Sequence, residues 1–239
     1  MPVGGRGTTA GVATGNIFTM LQFCILVLAT VSYVSSTTVT DANAFVDTII
    51  NEDVPVLVKE SPRLFPYATI EDFSFTVHQN RVTNRDLTVN MTRGKVRGLD
   101  TAVQRREDCE ALFLRDGQTI VVCDLAIQGL DITFTSLVKG DNLVGIWKTI
   151  SVNVAVTDGT IQFEAKVPTG HRGGTLRAFS IKDLHLYVTY DSNLSLNEER
   201  SQKFKEEVSA KVREELRHIL AEYVSLVRRA VNLYTFPRA

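Results

Sequence analysis

The chain has 239 residues, 44% of them hydrophobic and 22% charged, with a formal net charge of −1. That is apolar material enough for a sizeable core and too much for a disordered chain. A balance so close to neutral excludes a protein steered as a whole towards nucleic acid.

Ile17 to Val34, IFTMLQFCILVLATVSYV, is an uncharged apolar run followed by Ser35, Ser36, Thr37 and Thr38. Arg6 precedes it, and Val34 and Ser36 suit the small positions before a cleavage site. Residues 1–36 therefore read as a signal peptide cut after Ser36, with one domain over 37–239. Met20 offers a second start. The competing reading is an uncleaved anchor, because the run is near the shortest length that spans a bilayer. Cleavage implies a secreted, extracellular protein.

Thr40 or Asp41 is expected to cap a short helix running to about Asp53, with Phe45, Val46, Ile49 and Ile50 as its apolar stripe. Pro55 should end it, and Pro62 and Pro66 keep Val54 to Tyr67 an irregular connector.

From Asp72 to Asp191 the apolar period is two. FSFTVHQ is a first, weak strand. RDLTVNMTRGKVRGL is a stronger one, whose inward phase passes at Gly94 from Leu87, Val89 and Met91 to Val96, as a bulge would make it. A second change, at Gly129, takes the phase from Leu125 and Ile127 to Leu130, Ile132 and Phe134. Two such glycines imply strongly bent strands rather than a flat sheet.

Cys24 leaves with the signal peptide, so Cys109 and Cys123 remain as a pair. In an oxidising compartment a disulfide is expected. The alternative is two separate buried thiols, and metal binding needs more ligands than two. A three-residue loop over Arg115, Asp116 and Gly117 sets Cys109 opposite Cys123, whereas a two-residue Asp116-Gly117 loop sets Cys109 opposite Asp124. The disulfide therefore predicts the longer loop. Two glycosylation sequons, at Asn90 and Asn193, fit the same compartment. Asn90 shares the polar side of its strand with Asp86, Thr88 and Thr92.

SVNVAVTDGTIQFEAKV, Ser151 to Val167, is expected to be a hairpin turning at Asp158-Gly159. In that register Val156 faces Ile161, Val154 faces Phe163 and Val152 faces Ala165, giving one oily and one wet face. LHLYVTY repeats the pattern through Leu184, Leu186, Val188 and Tyr190. Ser195 to Glu198 reads as a capping box. A helix then runs to about Asn232, with Phe204, Val208, Val212, Leu216, Ile219, Leu220, Tyr223, Val224, Val227 and Val231 on one stripe. At 1.5 Å per residue it is about 50 Å long, so the sheet that covers it must be long and wrapped.

In layout, a short helix, a proline-broken connector, bent strands and one long terminal helix, the chain resembles a single TULIP-type lipid-binding module. The nearer likeness is to mite group 7 allergens, through GKVRGLDTAVQRRED and LRAFSIKDLHLYVTYDSNLSL. The more distant one is to takeout and juvenile-hormone-binding proteins, whose disulfide near the mature N-terminus this chain lacks. The resemblance implies an α+β super-roll: a long curved antiparallel sheet wound around the C-terminal helix, with an apolar cavity between, binding lipid-like molecules without catalysis.

The expected ligand lining is Val152, Val154, Val156, Ile161, Phe163, Leu184, Leu186 and Val188 on strands and Phe204, Val208, Val212 and Leu216 on the helix. Each of these also reads as plain core. His78, His171, His185 and His218 are scattered, so no metal site is expected. The sequence contains no G-x-S-x-G, P-loop or dinucleotide fingerprint, so neither an enzyme of those types nor a cofactor is expected. Gly170 to Gly174, GHRGG, reads as a loop over the cavity mouth. Between Arg81 and Arg106 seven basic side chains face two acidic ones. Arg93, Lys95, Arg97, Arg105 and Arg106 form a candidate patch for anionic lipid, glycosaminoglycan or a bacterial surface. The bland reading is a solvated strand that discourages aggregation. The alternative to a carrier is thus an interaction protein with a filled core, working through that patch.

Overall fold

The computed structural model describes Met1 and residues 38–79, 85–168 and 173–234. The expected signal peptide, its cut after Ser36, Arg81 and His171 lie outside the described residues.

The chain is already helical at Thr38, so neither Thr40 nor Asp41 is the cap. Helix α1 covers 38–47, a π-helical turn follows over Thr48–Asp53, and α2 runs Val54–Glu60. Pro55 therefore does not end the helix. A proline lacks an N–H and crowds the carbonyl four residues back. The π turn widens the coil ahead of it, and the N–H of Val54 reaches Ile49 O instead. Phe45, Val46, Ile49 and Ile50 are buried as expected.

Among the described residues nine antiparallel strands form one sheet: β1 Ala68–Ile70, β2 Phe73–Val77, β3 Leu87–Arg97, β4 Val103–Arg105, β5 Phe113–Arg115, β6 Gln118–Ile127, β7 Asp131–Lys139, β8 Lys148–Pro168 and β9 Thr175–Tyr190. β6 and β7 lie end to end along one side of β8, and β9 lies along the other. β3 and β4 continue the same way along β7 and β6. At the join of β6 and β7, Gly129 N donates to Val156 O (2.9 Å) and Val156 N to Leu130 O (3.0 Å). The two strands thus act as one long strand bent at Gly129, where the sequence changes phase. The bulge at Gly94 is present too: the register slips between Thr92 and Lys95.

The expected hairpin at Asp158-Gly159 is not formed. β8 is a single strand of 21 residues, and both residues lie in its middle. A register slip between Val156 and Asp158 against β9 shifts the pleat by one residue. That keeps Val152, Val154 and Val156 on the same face as Ile161, Phe163 and Ala165. A two-residue turn and a one-residue bulge change the phase alike, so the alternation alone fits both. Gly159 is there for close approach: a Cβ on it would lie 2.8 Å from Ile127 Cγ2 and 2.9 Å from Asp183 O.

Cys109 and Cys123 are disulfide-bonded, with Cα atoms 4.5 Å apart. The expected three-residue loop is replaced by a two-residue one. Arg115 pairs with Gln118, and Asp116 and Gly117 both have positive φ, as a type I′ turn requires. The cysteines still meet because the chain slips by one residue before β5, where Glu110 N donates to Val122 O (3.0 Å).

Helix α3 spans Glu198–Leu233, 36 residues. Its cap is Asn197, whose side chain accepts from Arg200 N (3.1 Å), and not a box starting at Ser195. Phe204, Val208, Val212, Leu216, Leu220, Tyr223, Val227 and Val231 are buried, and α3 packs on β9, β2, α2 and the π turn. The result is the α+β architecture expected, a long antiparallel sheet against one long helix.

Candidate functional site

The alternation on β8 puts Val152, Val154, Val156, Ile161 and Phe163 into the same buried cluster as Phe204, Val208, Val212 and Leu216 of α3. Val188 of β9 is buried with them, while Leu184 and Leu186 are half-buried at the margin. Aromatic rings close one end of this layer. Phe204 meets Phe75 and Tyr190 at centroid distances of 5.6 and 5.1 Å, and Tyr190 Oη donates to Ser201 Oγ (2.8 Å).

The seam opens at its β9 side. A groove of about 500 Å³ runs between Phe179 and Ile181 of β9 and Leu220, Ala221 and Val224 of α3, with Arg217 and Arg228 at its rim. A smaller hollow of about 220 Å³ continues it past Ile181 and Leu184 to Arg213, with Lys182 and Asp183 beside it. The volume is in the range of small-molecule sites, and so is the mixture of apolar floor and sparse charge. Among the described residues β9 pairs only with β8 in the sheet, and no described strand lies along its other flank. Arg213, Arg217, Ala221, Val224 and Arg228 fall at intervals of four, four, three and four, one row on the helix surface. The three arginines are exposed and make no salt bridge among the described residues. Lys182 is different, since Asp124 holds it at 2.7 Å. Under the groove floor Tyr223 packs on Phe179 at 5.9 Å, and burial pushes its phenol pKa well above the ordinary value.

Sequence reasoning did not single out Phe179, Ile181, Ala221 or the arginine row. The signal was available in the AFSIKD alternation and in the four-residue spacing of the arginines, but both look like an ordinary amphipathic boundary.

A second groove, about 720 Å³, lies on the other flank of α3, between residues 62–69 with Glu71 on one side and Glu215, His218, Ile219 and Glu222 on the other. Its lining is more polar, and Arg63 is paired with Glu222 inside it.

The candidate basic patch divides in two. Arg105 grips Asp47 through Nε (2.9 Å) and Nη2 (2.8 Å), which raises its own pKa, and it also reaches Asp108. Arg106 Nη2 binds the Asp158 carboxylate and Gly159 O. Both cations thereby fasten the fold. Lys95 lies 4.6 Å from the Tyr67 ring centroid, and Arg93 and Arg97 are exposed, with Asp131 opposite Arg97 in the register. Asn90 is half-buried on β3, and Asn193 is exposed in the turn before α3. Gly174 N donates to Val231 O (2.9 Å), tying the end of the GHRGG segment to α3; residues 170–172 lie outside the described residues. Among the described residues no cluster of side chains could hold a metal ion, and no helix is long and apolar enough to cross a membrane.

No protein-family model matches the chain. It is 40% identical over 221 residues to the salivary anticoagulant protein P23 of Ixodes scapularis, an alignment covering 91% of this chain and 99% of that protein. The chain belongs to the family of that salivary protein. Among solved structures it is similar to Takeout 1 of Epiphyas postvittana, with a TM-score of 0.37, 14% identity, and 78% of this chain and 88% of that chain covered. It is also similar to lipopolysaccharide binding protein, with a TM-score of 0.28, 15% identity, and 69% and 33% covered. A mite group 7 allergen is not among these three.

Proposed function

We propose that the protein is a secreted, non-enzymatic binder of lipid-like ligands, loaded through the β9–α3 groove. The observation that carries this is the groove itself: an apolar floor continuous with the helix–sheet core, with Arg217 and Arg228 at its rim and Arg213 beside the hollow that continues it. An acyl chain laid along Phe179, Ile181, Leu220 and Val224 gains about 0.8 kcal/mol per buried methylene before association costs. An anionic head would meet Arg213, Arg217 or Arg228. Deeper uptake would part Phe204, Val208, Val212 and Leu216 of α3 from the strand wall made by Val152, Val154, Val156, Ile161, Phe163, Leu184, Leu186 and Val188. An extracellular setting is supported by the disulfide and by the relative's salivary source. Anticoagulation, named for that relative, carries over as a proposal, and delay of plasma clotting by the purified chain checks it.

The experiment is native mass spectrometry of the secreted protein with and without organic extraction, followed by titration with a fluorescent fatty acid. Co-purified lipid and saturable uptake are expected. Ala221→Trp, at an exposed groove position, should abolish uptake with Tm unchanged. Val154→Trp is less discriminating, because Val154 is fully buried and overpacking alone costs about 1–3 kcal/mol. No lipid and no uptake would sink the proposal.

A further inference from the structure

The loop between β7 and β8 holds four large apolar side chains out in solvent. Leu143 is 52% exposed, Val144 71%, Ile146 61% and Trp147 48%. Single exposed apolar residues are ordinary, but a contiguous group marks an interaction surface. The side chains of the hydrophobic seam play no part here, so this feature stands apart from the ligand groove.

The loop is held by its foot. Arg200, 1% exposed at the start of α3, donates through Nη2 to Arg85 O (2.8 Å) and Gly140 O (3.2 Å). Asp141 pairs with Lys148, whose Nζ also donates to Asn193 O (3.1 Å). Above that foot, Asn142 Oδ1 accepts from Val144 N (3.0 Å) and Gly145 N (3.1 Å), folding the tip on itself. Buried charges and backbone hydrogen bonds therefore fix an apolar tip in the outward position.

Cations accompany the tip. Lys139 Nζ lies 5.6 Å from the Trp147 ring centroid, and the Arg85 guanidinium packs beside Gly145. Both residues are exposed and neither makes a salt bridge among the described residues. The nearby carboxylates are engaged, Asp141 by Lys148 and Asp86 by Gln79 N (2.7 Å) and His78. Aliphatic side chains at the apex, a tryptophan at the base and long cations around it match the layering of a bilayer surface: hydrocarbon, interface, anionic headgroup.

We infer that this loop is a membrane-contact site, in which Leu143, Val144, Ile146 and Trp147 enter the lipid surface and Arg85 and Lys139 meet anionic headgroups. Trp147 is the single tryptophan of the chain, so its fluorescence reports the event directly. The full secreted protein is titrated with phosphatidylcholine vesicles and with vesicles containing phosphatidylserine. A blue shift, and quenching by bromine-labelled acyl chains, are expected with the serine lipid and weaken with added salt. Val144→Ser/Ile146→Ser keeps Trp147 and should keep Tm, while vesicle affinity falls at least about tenfold. Lys139→Glu should lower affinity for the anionic vesicles alone. The inference is overturned by an unshifted spectrum without cosedimentation, by unchanged affinity in the double variant, or by the same shift on raising protein concentration without vesicles, which would assign the tip to a second copy.

Discussion

β8 and β9 run side by side and carry the same apolar alternation, yet they end in different environments. Val152, Val154, Val156, Ile161, Phe163 and Ala165 of β8 are sealed, whereas Phe179, Ile181, Leu184 and Leu186 of β9 are half-buried. Hydrophobicity does not separate them, but position in the sheet does. Among the described residues β8 has β6 and β7 on one side and β9 on the other, while β9 has only β8. A strand flanked on both sides has its inner face closed by neighbours. A border strand relies on the helix alone, so that is where the proposed ligand groove lies.

The sharpest way to break the comparison is truncation on each side of it. Phe163→Ala should cost about 3–5 kcal/mol by urea denaturation, as expected for a ring removed from a packed core. Phe179→Ala should cost about 1–2 kcal/mol, because that ring is only partly buried. Equal losses would erase the distinction between the walls. Next in size is the disulfide, which closes a sequence separation of 14 against the sealed wall. Cys109→Ser/Cys123→Ser should lower stability by about 3 kcal/mol and leave fatty-acid affinity unchanged; a fall in affinity would mean that the closed and open sides are coupled. Arg217→Glu should weaken uptake of an anionic amphiphile about fivefold to tenfold while sparing its neutral methyl ester. Equal weakening of both would remove the charge from the groove's role.

The smallest effect concerns Tyr223, beneath the groove. Burial raises its pKa in the folded state, so the unfolded phenol ionises first. The associated stability is complete below the unfolded value near 10 and is lost as pH rises beyond it. Tyr223→Phe should therefore show a shallower decline of Tm from about pH 9 to about pH 11 than the parent protein. Identical slopes would mean that solvent already reaches the phenol through the seam.

The elements were legible where a local pattern decides them. The stripe of α3 and the slips at Gly94 and Gly129 follow from spacing alone. Asp158-Gly159 misleads because its phase change fits a turn and a bulge alike, and what decides is the pairing on either side of it, Ala155 with Asp131 of β7 and Thr160 with Ala126 of β6, residues more than twenty positions away. Pro55 misleads because a π turn, which leaves no compositional mark, accommodates it. The cysteine pairing was readable although the loop assumed for it was not, since the slip that corrects the register lies in irregular chain. Arg105 and Arg106 look like free cations in sequence, and their partners Asp47 and Asp158 come from distant segments. The groove was hidden for the same reason: exposure of Phe179 and Ile181 is set by which strand lies outermost.

The irregular ladder between β8 and β9 has one more effect. It slips at three places, and Lys182 and Asp183 stand at the outer strand's middle. A rim so kinked and charged offers a poor template for a foreign strand to zip onto. The border strand is thereby kept from recruiting another polypeptide into a fibre.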